Sequence, residues 1–180
     1  NKNTDNAASG DTNASVGSGF EVTTQTALGD LPVLGSYLDG NTLTLGYGEG
    51  QTSTVANTSD AYEATVALTG SFGNLSYGFQ VEHVDLGQTA ALTDADFFKI
   101  DTIGLAYAVN DQLSISYNTM EQKQHNIDAD SSFKQKTNAI NIGYTVGGMT
   151  IGFQDASTDN ANHVKDAKDD TRTIGVSVAF

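Results

Sequence analysis

From residue 19 to the end of the chain, apolar and polar residues alternate with period two in segments separated by clusters of Gly, Asn, Asp, Ser and Thr. This is the pattern of β-strands with one covered face. It predicts nine strands, near 19–27, 42–50, 61–72, 75–87, 97–109, 112–124, 134–146, 149–158 and 170–180. Gly73-Asn74, Asn110-Asp111 and Gly147-Gly148 fall where adjacent strands must reverse tightly, and these residue types accept the backbone angles of a hairpin turn. Longer polar connections lie near 51–60, 88–96, 125–133 and 159–169, so short and long connections alternate through the last eight strands. Residues 28–41 stand where a short turn is due; they leave room for a small extra strand over 32–38, although Pro32 disfavours a central one.

Parity assigns the faces. One carries Ile103, Leu105 and Tyr107, then Ile140, Ile142 and Tyr144, then Ile174, Val176, Val178 and Phe180, with equivalent runs on the other strands. The alternate face is small or polar, as in Gly104, Ala106 and Ala108 or Thr173, Gly175, Ser177 and Ala179, and nothing on it builds a packed apolar core. Phe72, Tyr77, Tyr107, Tyr117, Tyr144 and Phe180 all lie near a short-turn end, where a membrane barrel carries an interfacial aromatic girdle. Sorted loops, a lipid-compatible face and a small-residue interior together predict an all-β, antiparallel up-and-down transmembrane β-barrel of the outer-membrane type.

Composition fits that class. The chain has 180 residues, 38% of them hydrophobic, with a mean hydropathy of −0.29 and no long apolar run, so no transmembrane helix is expected. A barrel spreads its apolar residues over alternate positions and need not look hydrophobic on average. Nineteen glycines, one proline and no cysteine suit short strands joined by turns. A formal charge of −14 with eight Lys plus Arg leaves no basic stripe to neutralise phosphates, which argues against a nucleic-acid partner. Residues 1–18 contain nothing that anchors a core and are expected to form an extracellular loop ahead of the barrel strands at 19–180.

The repeated strand–turn–strand units resemble the general diffusion porins of Gram-negative bacteria, especially the alphaproteobacterial type. The clearest run from Ile103 through Val109-Asn110-Asp111-Gln112 to Tyr117, and from Ile142 through Val146-Gly147-Gly148-Met149 to Gly152. The resemblance implies a water-filled, usually homotrimeric barrel of 16 strands through which small hydrophilic solutes and ions diffuse passively. It also implies that the terminal strand, ending at Phe180, is the signal read by the barrel-assembly machinery. Nine strands counted back from a periplasmic Phe180 put residue 1 outside, whereas complete bacterial barrels have an even strand number. The expectation is therefore the C-terminal part of a larger porin. A structural or adhesive barrel without transport, and a secreted soluble β-sandwich, are the alternatives.

Candidate site residues follow from the faces. Glu21, Glu63 and Glu82 lie on the pore-lining face toward the long-loop mouth, with Gln80, Asn118, Asn141 and Gln154 also on that face. A wall of one sign enriches counter-ions, so a mild cation preference is expected. Lys99, Lys123, Lys134, Lys136 and Arg172 share the opposite face at the loop-bearing ends and are the candidates for contact with lipopolysaccharide or a neighbouring subunit, in a setting of outer-membrane lipid. Asp94 and Asp96 are the candidates for a loop-bound Ca²⁺, although no EF-hand spacing is present and no other cofactor is implied. His83 near Asp85 is a single acid–base neighbour pair, too little for an enzyme, and Gly46-Tyr47-Gly48-Glu49-Gly50 lacks the following helix of a phosphate loop.

Overall fold

A computed structural model describes residues 19–33, 35–50, 59–87, 95–126 and 134–178. They form one antiparallel sheet of nine strands: β1 (Gly19–Ala27), β2 (Asn41–Gly50), β3 (Ala61–Phe72), β4 (Leu75–Asp85), β5 (Ala95–Ala108), β6 (Leu113–Asn126), β7 (Gln135–Val146), β8 (Met149–Asp159) and β9 (Lys168–Val178). Spatial order equals chain order, so every strand pairs with its sequence neighbours, and β1 and β9 are the two edges of an unclosed sheet. Alternation places the strands to within two residues, because one covered face is what period two encodes.

The turns follow their residues. Gly147 and Gly148 both take positive φ, 55° and 80°, as a type I′ hairpin demands, and Gly73 takes φ 58° at the first central position of the β3–β4 turn. Between β5 and β6, the Asn110 side chain accepts the backbone N–H of Gln112 and of Leu113, each at 2.9 Å, closing an Asx turn. Residues 28–41 hold no extra strand among the described residues: a 3-10 turn at Leu28–Asp30 is followed by a four-residue helix, α1 (Gly35–Leu38). Pro32 supplies no N–H for a ladder, and Gly35 packs so closely on Gly29 that a Cβ there would meet the Gly29 carbonyl oxygen.

There is no second layer. Among the described residues the only buried apolar side chain is Ala139, at 4% exposure. Soluble domains cover an apolar sheet face with a helix or another sheet, and no described element covers this one.

Candidate functional site

The register fixes how the faces are built, since residues opposite one another share a face. On the apolar face Leu45 lies opposite Val66, Val66 opposite Val81, Leu105 opposite Tyr117, and Ile142 opposite Phe153. The band continues to Ile174, Val176 and Val178 on β9, all exposed. Tyr77 and Tyr117 turn their hydroxyls to Asn41 and Asn138, at 2.5 and 3.0 Å, so each ring keeps an apolar body and a satisfied polar tip.

At the long-loop ends the same face carries a ladder of rings across six strands. Phe20, Tyr47, Tyr62, His83, Phe97 and His125 follow one another with centroid separations of 5.8, 6.2, 5.3, 4.8 and 4.2 Å. The Tyr62 hydroxyl and His83 Nε2 are hydrogen-bonded at 3.1 Å. Sequence parity already sets Tyr47 and Tyr62 on this face, but their alignment with Phe20, His83, Phe97 and His125 in one row depends on register, which brings together residues that no spacing along one strand connects.

The pairing also gives the stagger. Phe72, which ends β3, lies on one row with Leu75, Tyr107, Ile115 and Ile142, yet β7 runs four residues beyond Ile142 before its turn at Val146. The turns thus step down by one residue per strand. With a rise of about 3.3 Å per residue and about 4.8 Å between strands, the strands incline by about 35°, the slope found in membrane barrels. Tyr62 and Phe72 on β3, and Phe97 and Tyr107 on β5, are ten residues apart. That separation is about 33 Å along the strand, and about 27 Å once projected.

The cations expected at the outer rim mostly meet carboxylates. Lys134 and Lys136 both contact Glu121, at 3.2 and 3.3 Å, and Arg172 holds Asp155 at 2.8 Å. Lys168, in β9, adds a pair with Asp159 at 3.2 Å. Lys99 and Lys123 lie directly opposite each other, with Lys99 6.0 Å from the Phe97 ring centre. Among the described residues of β6–β9, Lys134, Lys136, Lys168 and Arg172 thus each meet a carboxylate.

The small-residue face bears a hollow of about 540 Å³ over β2–β6. Its floor is glycine backbone and short hydroxyls, with Gly78 opposite Gly104 and Ser71 opposite Ser76. Asn141 donates to Ser116 Oγ at 3.2 Å and to Asn118 Oδ1 at 3.3 Å, and Gln154 lies opposite Asn141. Farther along, Gly143, Gly152 and Gly175 form one row, and added Cβ atoms at Gly104, Gly152 and Gly175 would meet only open space.

Glu21 and Glu63 flank Gly48 on one row, and Glu82 lies opposite Thr65 on the next. Gln80 donates to Glu82 at 3.1 Å. These three acids therefore share the loop-end quarter of the face on β1, β3 and β4. Asp169 joins the face from β9, opposite Thr158. It escapes the sequence reading because the strand begins at Lys168, two residues earlier than the alternation indicates; counting back by twos from Thr173 and Thr171 would have found it.

Asp85 accepts the Gly87 N–H at 2.7 Å while His83 stacks in the ring ladder, so the two side chains are engaged separately. Asp96 is the second residue of β5, Asp94 lies outside the described residues, and no group of three His, Cys, Asp or Glu side chains suited to a metal occurs among the described residues. Phe180 also lies outside them, as do residues 1–18. No protein-family model matches this sequence, and neither the curated proteins nor the solved structures include a match.

Proposed function

We propose that this sheet is wall of an outer-membrane porin, a water-filled barrel through which small hydrophilic solutes and ions diffuse passively. The observation that carries the reading is a single-layer sheet with an apolar band on one face, edged by two aromatic rows about 27 Å apart, and a small, polar opposite face. A lipid-exposed band of about 25 Å between aromatic girdles is what a membrane barrel needs. Val66, Val81, Ile103 and Ile140 are 44–56% exposed, and contact with acyl chains removes that area from water at about 25 cal/mol per Å². Lipid serves here as the missing second layer.

Open edges at β1 and β9 leave rows of backbone N–H and C=O groups, which cannot stay unpaired at membrane depth. In this reading both edges are paired in a closed barrel, and the resemblance to the 16-stranded, trimeric porins supplies the larger ring. Water enters because the inward face carries glycine, serine, threonine and asparagine, too short to fill a barrel of that size. Glu21, Glu63, Glu82 and Asp169 make the mouth negative, so cations are enriched there.

The test is reconstitution. A porin resists extraction without detergent, runs at heat-dependent mobility in gels, and gives single-channel steps in planar bilayers whose reversal potential in a salt gradient favours cations. Extraction into buffer without detergent would instead support a soluble sandwich, and folded protein without conductance a plugged, adhesive barrel. Glu63→Gln with Glu82→Gln is expected to move the reversal potential toward zero while heat-dependent mobility stays unchanged; an unmoved potential would remove these acids from the selectivity.

A further inference from the structure

The chain contains a single Asp-Gly step, Asp39-Gly40, and no Asn-Gly step. It forms the exposed turn that leads from α1 into β2. A backbone nitrogen that follows an aspartate can attack the side-chain carboxyl carbon and close a succinimide ring, and glycine hinders this attack least because it brings no Cβ. Most aspartates escape the reaction, since their carboxyl and the next nitrogen point apart.

In this turn they face each other. The Gly40 N–H donates to Asp39 Oδ1 at 2.9 Å, so the nitrogen lies beside the carboxyl whose carbon it must reach. Gly40 takes φ 78°, a left-handed conformation that favours glycine. Contacts on both sides hold the arrangement. A Cβ at Gly29 would stand 2.8 Å from Asp39 Oδ1 and 3.6 Å from its Cγ, so the carboxyl lies against the bare backbone of the 3-10 turn. Opposite it, Asn41 Nδ2 donates to the Leu38 and Asp39 carbonyls at 3.1 and 3.3 Å, and Asn41 Oδ1 accepts the Tyr77 hydroxyl of β4. Reactants held in place this way meet a lower barrier to intramolecular attack.

We propose that Asp39 is a site of spontaneous backbone modification, converted through a succinimide to isoaspartate by the geometry of its own turn. The Gly40 nitrogen bonds to Asp39 Cγ, and the amide proton and the carboxyl hydroxyl leave together as water. A second water opens the ring. Attack at the Cγ carbonyl restores aspartate, whereas attack at the main-chain carbonyl leaves isoaspartate, with the chain running through Cβ and Cγ and the α-carboxylate free. Water is the only co-reactant. The net charge is unchanged, but the main chain gains one carbon, which shifts Asn41 against its partner Gly70 on β3 and draws it from Tyr77. The reaction is a property of this turn and is independent of what the sheet encloses.

Folded and guanidinium-unfolded full-length protein, aged side by side in neutral buffer, test this directly. Isoaspartate is located by electron-transfer fragmentation of the peptides and counted by methyl transfer from an isoaspartyl methyltransferase. It is expected at Asp39 before any other aspartate and several-fold faster in the folded protein, with a peptide lighter by one water as the transient imide. Gly29→Ala pushes the carboxyl out of line and is expected to slow the folded reaction by about tenfold while leaving the unfolded one unchanged. Asp39→Glu is expected to stop it, because the larger imide ring closes far less readily. A rate in the folded protein equal to or below that of the unfolded chain would mean that the turn protects the bond, and would overturn the proposal. Unchanged ageing of folded Gly29→Ala would overturn the part assigned to the 3-10 turn. The wild-type comparison requires no variant, so it decides the matter even where Gly29→Ala does not fold.

Discussion

One row of register partners on the apolar face reads Leu45, Val66 and Val81 across β2–β4, then Asp101, Glu121, Lys136, Asp159 and Lys168 across β5–β9. The same row is apolar in one region and fully charged in the other. In the barrel proposed above, the difference comes from tilt. On β3, Val66 stands six residues from Phe72 at the turn, whereas on β7, Lys136 stands ten residues from Val146. Those four extra residues raise Lys136 by about 11 Å along a barrel axis. A row of paired residues is therefore not a level: Lys136, Asp159 and Lys168 each stand ten residues from the short-turn end of their strand, whereas Asp101, seven residues from Ala108, stays near the height of Val66. One ion pair also stays low: Asp155, six residues from Met149, and its partner Arg172 stand at the height of Val66 and Val81. The apolar band is lower on β8 and β9 than on β3 and β4.

The comparison can be broken most forcefully by moving a charge into the tall part of the band. Val81→Lys is expected to destabilise the protein by about 2–4 kcal/mol in lipid vesicles, as lysine does at a bilayer midplane. Asp159→Lys, on the same row but higher, is expected to cost less than about 1 kcal/mol. Equal losses in urea unfolding would reject the tilted-row account. A smaller effect tests the exceptional pair. Arg172→Leu leaves Asp155 uncompensated and is expected to cost about 1–3 kcal/mol, while Asp155→Leu/Arg172→Leu recovers most of it because desolvated pairs contribute little net stability. Single and double variants both within about 0.5 kcal/mol of the parent would place β8–β9 at that height in water. The smallest effect concerns the ring ladder. Tyr62→Ala removes stacking on both Tyr47 and His83 and is expected to cost about 1 kcal/mol, with Tyr62→Phe close to neutral if the membrane interface rather than the His83 hydrogen bond is what matters.

Strands and turns were legible in the sequence because each is a local property: alternation marks a face, and Gly147-Gly148 or Asn110-Asp111 marks a reversal. What could not be read there needs partners. Glu121 binding Lys134 and Lys136, the ladder from Phe20 to His125, and the one-residue stagger all depend on which residue of the next strand stands opposite. Glu21, Glu63 and Glu82 were legible as a set on one face, but the flanking of Gly48 by Glu21 and Glu63 was not. The 160–167 connection read as a solvated polar loop, since nothing in Asn-Ala-Asn-His-Val announces that His163 stacks on Phe98, three strands away.

Gly104, Gly152 and Gly175 have a further use. Each sits in a regular strand with open space where a Cβ would point, and the chain contains no native thiol to compete. Strand interiors tolerate a larger side chain better than glycine when there is room for it. A single cysteine at any of the three is a unique chemical handle on the small-residue face of this chain, at positions set by register. The wall can thus be fitted with a chosen adapter, such as a chelator, a fluorophore or a bulky blocker, turning the sheet into a sensor scaffold.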